Sequence, residues 1–265
     1  MFKKRKAPQQ ELGTVNYERA WDDHANTFNK RFPGYEQIGD QWTGVRAGAA
    51  KTNEEYVELI RERIVKPTVE PGDRVLEIGI GGGRTGEMIL ERGATLIEAD
   101  IAAAMLKATR ERLGDEKVTY VKLDGKTLDG VPDASCDVAF CFDTMVHIEP
   151  RDVFNYLTQI PAKLKPDGRR RCLFHHFSVL SELGWQRFLL DWDRNLGGRR
   201  GDTFGVTTPE IMERFLTHLG YEILERDDNI IPRDCVWHCR APERIEPALL
   251  KPTHPLYVKD PKLED

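Results

Sequence analysis

The chain has 265 residues, 40% of them hydrophobic and 31% charged. That suffices for one large α/β domain with an appendage and is too apolar for a disordered chain. A net charge of −5 argues against a surface that coats nucleic acid. No apolar run is long enough to cross a bilayer, and the basic start Met1-Phe2-Lys3-Lys4-Arg5-Lys6 lacks the apolar stretch of a secretory signal.

Residues 1–15 are polar and expected to form a disordered tail. Residues 16–50 carry Tyr17, Trp21, Phe28, Phe32, Tyr35 and Trp42 between glycines and prolines. They read as short helices and loops that cover a site. A helix is expected over 53–64, capped by Thr52 or Asn53 with Glu54 and Glu55 in its first turn, and stopped by Pro67. Alternation follows: strand 74–78, helix 85–92, strand 94–99 ending at Asp100, helix 103–113, strand 118–123, strand 138–142, helix 151–164 and strand 171–175. Strands separated by helical patterns predict βαβ units and a parallel sheet. Helix 209–219 then precedes strands 221–226 and 234–240, which read as an antiparallel hairpin. Residues 242–265, rich in proline and charge, read as an extended arm. The cysteines Cys136, Cys141, Cys172, Cys235 and Cys239 sit in apolar or strand-like contexts without metal-ligand spacing, which favours a reducing, cytoplasmic compartment and no metal centre.

Val75-Leu76-Glu77-Ile78-Gly79-Ile80-Gly81-Gly82-Gly83-Arg84-Thr85-Gly86 is an apolar run ending in an acid, then a glycine turn that opens a helix. Such a turn at the end of a parallel strand binds nucleotide-like cofactors. A dinucleotide needs G-x-G-x-x-G, which Gly81, Gly83 and Gly86 match, but several residues beyond the strand end. Glu77 would also repel a pyrophosphate by roughly 1 kcal/mol. S-adenosylmethionine has no phosphate and carries a sulfonium and an ammonium group, so the same acid attracts it; Gly79, Gly81 and Gly83 then let the backbone lie along its methionine part. Asp100, about twenty residues on, is placed for ribose hydroxyls in either cofactor class. Asp124, with Gly125 allowing close approach, can accept from an adenine amino group.

With these pieces the chain resembles the class I S-adenosylmethionine-dependent methyltransferases. The match rests on residues 75–83, on Glu98-Ala99-Asp100-Ile101 with Met105-Leu106, on Val121-Lys122-Leu123-Asp124-Gly125, on Cys136-Asp137-Val138-Ala139-Phe140 and on Leu164-Lys165-Pro166-Asp167-Gly168. The resemblance covers roughly residues 50–240. It implies a doubly wound, seven-stranded, mostly parallel sheet with an antiparallel C-terminal hairpin, the Rossmann-like methyltransferase fold. It further implies a methyltransferase domain over 51–241 with an insertion at 179–208, Ile101 packed near the adenine, and Phe142 and Asp143 bordering the cofactor.

Methyl transfer is an in-line displacement in which the protein positions the acceptor and removes its proton where needed. Histidine suits the base role, and His147, His175 and His176 stand near strand ends on the cofactor side. The run Phe174-His175-His176-Phe177-Ser178 is similar to a His-His-Ser-like signature of methyltransferases acting on sugars and polyols. Trp185, Trp192, Arg199 and Arg200 in the insertion, with Trp42 and Asp143, have the chemistry of a saccharide wall, and the arginines could instead grip a phosphate or carboxylate. The expected function is O-methylation of a saccharide or related small-molecule hydroxyl with His175 or His176 as base, without nucleic-acid or membrane partners and with homo-oligomerisation left open. The alternatives are N-methylation of a small amine, a non-catalytic S-adenosylmethionine-binding subunit and, as outsider, a nicotinamide-dependent oxidoreductase.

Overall fold

The computed structural model describes residues 16–195 and 201–254. Seven strands form one sheet: β1 (Arg74–Ile78), β2 (Thr95–Asp100), β3 (Val118–Lys122), β4 (Val138–Cys141), β5 (Arg171–Phe177), β6 (Glu222–Asp227) and β7 (Asp234–Arg240). Their order is β3-β2-β1-β4-β5-β7-β6, and β7 runs antiparallel to both β5 and β6. The expected mixed sheet and terminal hairpin are therefore present. The helices are α1 (Tyr17–Arg31), α2 (Asn53–Leu59), the short turn α3 (Lys66–Thr68), α4 (Arg84–Glu91), α5 (Ala103–Leu113), α6 (Pro150–Lys163), α7 (Glu182–Asn195) and α8 (Pro209–His218). None of these helices is long and apolar enough to cross a membrane.

Alternation along each strand feeds two apolar layers. Leu76, Ile97, Ala139, Cys172 and Phe174 face one side, where Leu157, Ile160 and Leu216 of α6 and α8 cover them. Val75, Leu96, Val138, Phe140 and Leu173 face the other, against Ile60, Ile64 and Ile89. Each fully buried aliphatic side chain contributes on the order of 1.5–3 kcal/mol, so the sheet is clamped from both faces and its strand ends are fixed in place.

Local signals account for the helix ends. The Asn16 side chain accepts from Arg19 N–H at 2.9 Å, and Thr52 and Thr208 cap α2 and α8 in the same way. Pro67 does not stop the second helix as expected. Its ring clashes with the carbonyl four residues back and it has no N–H to donate; the helix instead widens into a π-helical stretch at Ile60–Val65 and continues through α3.

Candidate functional site

In a parallel sheet ligands bind beyond the carboxyl ends of the strands where the order reverses, here between β1 and β4. A cavity of about 1090 Å³ opens there, lined by the glycine turn, the ends of β2 and β4, and α1 with the segment that follows it.

Three of the turn's glycines answer to the protein's own packing. A Cβ on Gly79 (φ 74°) would lie 2.1 Å from Thr144 Cγ2, one on Gly82 2.1 Å from the Ile38 carbonyl oxygen, and one on Gly83 (φ 81°) 2.9 Å from Thr109 Cγ2. Only Gly81 (φ 55°) has nothing within 4 Å of that position, so its bare backbone is the part presented to a ligand. Gly83 does not line the cavity: the left-handed cap of α4 explains it, rather than close approach of a cofactor.

The acids behind the turn are coupled. Asp100 accepts from Ile80 N–H at 3.0 Å and from Ala102 N–H at 2.7 Å, which braces the turn while the carboxylate still borders the cavity. Burial lifts its pKa to about 6 against those backbone hydrogen bonds. Glu77 pairs in register with Glu98 on β2. Both are buried, Glu77 Oε2 and both Glu98 oxygens have no hydrogen-bond partner among the described residues, and Glu77 borders the cavity. Gly86 makes room for them, since a Cβ there would stand 2.2 Å from Glu98 Oε1 and 3.3 Å from Glu77 Oε2. Burial raises Glu77 to about 8 and Glu98 well above the usual carboxylate range. Glu77 is thus not the free anion expected from the sequence; burial beside Glu98 favours its protonated form, and a cation in the cavity favours its ionised form.

At the far end of the same half, Asp124, Gly125, Ile101 and Leu123 line the cavity. Asp124 is exposed, and its Oδ1 accepts from Lys126 and Thr127 N–H at 2.7 and 2.6 Å, which lowers its pKa. Phe142 borders the opposite wall.

Asp143, the residue after it, has φ 57°, a conformation that costs a non-glycine residue roughly 1 kcal/mol or more. A polar network holds it. His175 Nδ1 lies 3.2 Å from Asp143 Oδ1, Tyr56 Oη donates to Oδ2 at 3.4 Å, and Arg84 Nη2 stands 3.8 Å away. Burial alone would raise the Asp143 carboxyl, but His175 and the arginines pull it down to about 2. Arg84 also donates to the carbonyls of Gly39 and Trp42 at 2.8 and 2.6 Å, tying the cover segment to the helix that follows the glycine turn.

The three histidines separate. His147 lines the cavity against Trp21 and Phe204, with ring centroids 4.9 and 4.8 Å away. Its Nδ1 lies 3.2 Å from the Thr203 carbonyl oxygen and must donate there, so Nε2 carries the lone pair. Burial lowers its pKa to about 4, keeping it neutral near pH 7. His175 and His176 are fully buried and do not line the cavity. Burial alone would strip the His175 proton, but hydrogen bonds to Asp143 and Asp234 raise its pKa to about 9. An imidazolium there would have no lone pair for an acceptor's proton, and the ring does not reach the cavity. His176 gives Nδ1 to the Phe177 carbonyl and stacks near Trp237; burial holds it at about 4.

Trp42 lines the cavity, whereas Trp185 and Trp192 do not. They stand 46% and 56% exposed on the outer side of α7, because that helix turns Arg187 and Asp191 inward instead. Arg199 and Arg200 lie outside the described residues. Glu98, Tyr56, Arg84, Arg187, Phe204 and Arg233 belong to the site or its support and were not anticipated. Only the polar Glu98 within an apolar strand could have signalled its own role.

Residues 75–168 match a family model described as a methyltransferase domain. A demethylmenaquinone methyltransferase of Clavibacter sepedonicus is 30% identical over 118 residues, 44% of this chain and 46% of that protein. A ubiquinone biosynthesis O-methyltransferase of Idiomarina loihiensis is 31% identical over 101 residues, 37% of this chain and 40% of the relative. The chain thus spans less than half the length of either. The crystal structure of magnesium protoporphyrin IX methyltransferase from Synechocystis PCC 6803 with bound SAH superposes with a TM-score of 0.61 at 15% identity, covering 85% of this chain and 98% of that one. With this fold, a methyltransferase-domain match over β1 to the turn before β5, and acids at three successive strand ends, the comparisons support the resemblance to the class I S-adenosylmethionine-dependent methyltransferases.

Proposed function

We propose that the protein transfers a methyl group from S-adenosylmethionine to a hydroxyl of a small, flat-ringed acceptor, with His147 receiving the proton. The observation that carries this reading is His147 itself. Of the three candidate histidines it alone lines the cavity, and its donor is committed to the Thr203 carbonyl. Bound S-adenosylmethionine supplies a methyl carbon already activated by sulfonium. Gly81, Glu77, Asp100 and Asp124 fit its methionine, ribose and adenine parts by their chemistry and position. Trp21, Phe142, Tyr56 and Phe204 give the acceptor an aromatic wall, the last three backed by His175, Arg84 and the Arg187–Arg233 pair, and α1 with its following segment keeps water out.

The flat-ring preference also draws on the two relatives, both named for quinones. Of the tryptophans behind the saccharide expectation, Trp185 and Trp192 stand outside the cavity and only Trp42 lines it, which weakens that reading. Against N-methylation of a cationic amine, Asp143 is already neutralised by His175 and Arg84. The five buried free cysteines are consistent with a reducing, cytoplasmic setting.

Calorimetry should show binding of S-adenosylhomocysteine and none of NAD, and labelled methyl transfer should enter a phenol pool ahead of sugar and amine pools. His147→Ala should retain S-adenosylhomocysteine affinity and lose roughly 10²–10⁴-fold in turnover. Binding of NAD alone, or unchanged turnover in that variant, refutes the respective half of the proposal.

A further inference from the structure

One wall of the cavity carries a feature that proton removal does not use. Arg187 of α7 and Arg233, just before β7, both line it and both lie against the ring of Phe204, their guanidinium carbons 4.6 and 4.3 Å from its centroid. Each is held by two nitrogens. Arg187 gives Nε and Nη2 to Asp191, both at 3.1 Å, and Arg233 gives Nε and Nη2 to Asp234 at 2.8 and 2.6 Å. Each therefore keeps Nη1 without a partner among the described residues, and neither Nη1 is among the sealed polar atoms. Both are therefore reachable by a ligand on residues that line the cavity.

The positive charge is only partly offset at Arg233, whose partner Asp234 also serves His175; Asp191 is shared by Arg187 and Arg194, and Arg194 stands a further 3.4 Å from Asp202. A third arginine joins them. Arg46 lines the cavity, is exposed, and makes no ion pair among the described residues. It adjoins Ala47, whose carbonyl accepts from the Arg233 backbone N–H at 3.1 Å. Fixed guanidinium groups with one free N–H each, beside an aromatic platform, are the donor set for an oxyanion. A neutral acceptor would leave those donors to water alone.

We infer that the methyl acceptor bears an acidic group, carboxylate or phosphate, received by the free N–H groups of Arg187 and Arg233 with Arg46 closing over it. The inference deepens the methyltransferase reading and rests on it only in calling this ligand the acceptor. Its aromatic body would lie against the aromatic wall already described, with the acid fixing which hydroxyl meets His147.

The test uses the full chain, with and without S-adenosylhomocysteine, titrated with 3,4-dihydroxybenzoate, 3,4-dihydroxybenzamide and phenyl phosphate as probes. In the wild type at low salt the benzoate should bind about tenfold more tightly than its amide, and the advantage should shrink as sodium chloride rises. Arg187→Gln should remove most of that advantage, weakening the benzoate far more than the amide. Arg46→Ala, at an exposed position without ion-pair partners, should reduce it without touching the fold. A preference for phenyl phosphate over the benzoate assigns the group as phosphate, and the reverse as carboxylate. Equal affinity for acid and amide, or an acid preference that survives both substitutions, overturns the inference. Retained S-adenosylhomocysteine binding in that case leaves the methyltransferase reading standing. An arginine-dependent acid preference with no S-adenosylhomocysteine binding does the opposite.

Discussion

The state of His175 decides whether the buried histidine pair belongs to chemistry or to architecture, and it can be measured as stability. His175 lies between Asp143 and Asp234, 3.2 and 3.1 Å from their oxygens, with no exposure to solvent. Those contacts raise its pKa from the ordinary 6.5 to about 9. At 1.36 kcal/mol for each pKa unit, the folded state's preference for the proton is worth about 3 kcal/mol. Because the folded value lies above the unfolded one, this contribution is fully present below pH 6.5 and disappears as pH rises through about 9. Urea unfolding of the wild type and of His175→Gln at pH 6 and pH 9.5 should therefore show a stability gap that narrows by about 3 kcal/mol at the higher pH. Glutamine can still donate one hydrogen bond but cannot carry the charge. A gap that stays constant refutes the reasoning. It would mean that Nδ1 instead accepts the Asp143 backbone N–H, 3.1 Å away, that the imidazole is neutral, and that its candidacy as a base reopens.

Two further outcomes test the donor half of the site. Burial raises Glu77 to about 8 and Glu98 higher still, so the pair's stability contribution is complete below the ordinary carboxylate value of 4.5 and is lost as pH climbs through about 8. Glu98→Gln should flatten the fall in melting temperature between pH 5 and pH 8.5, and parallel curves for variant and wild type would show that burial does not hold the pair protonated. Gly81→Ala meets no protein atom and should lower stability only by the roughly 1–2 kcal/mol of a left-handed alanine, while weakening S-adenosylhomocysteine binding about tenfold or more. An unchanged affinity in calorimetry would remove the glycine turn from the cofactor site.

The strands were legible because their signals are local. Residues 74–78 and 234–240 were bounded as observed, since an apolar run beside turn residues needs no knowledge of its neighbours. The π-helical stretch was not legible, because Pro67 announces a conflict without saying whether the helix ends or widens. The acceptor half failed for a related reason. His175 and His176 were expected to divide between site and core by alternation, yet both are covered, one by Asp143 and Asp234 and the other beside Trp237. The covering residues lie dozens of positions away in sequence.

That distinction explains which half of the mechanism could be read in advance. Glycines and acids at strand ends line the cavity through backbone shape and position, which recur wherever a parallel strand meets its helix. The acceptor wall has no such rule. Phe204 reaches His147 from beyond α7, Arg233 comes from the turn before the one antiparallel strand, and Arg46 comes from the cover. Each is an ordinary surface-type residue in its own segment. They become a site because Asp191 and Asp234, both buried, turn two arginines inward onto one ring. A buried carboxylate left without its cation costs about 3–5 kcal/mol, so this geometry is held by stability as well as by function. Arg46, which no carboxylate holds among the described residues, can therefore be replaced at far lower cost to stability than Arg187 or Arg233.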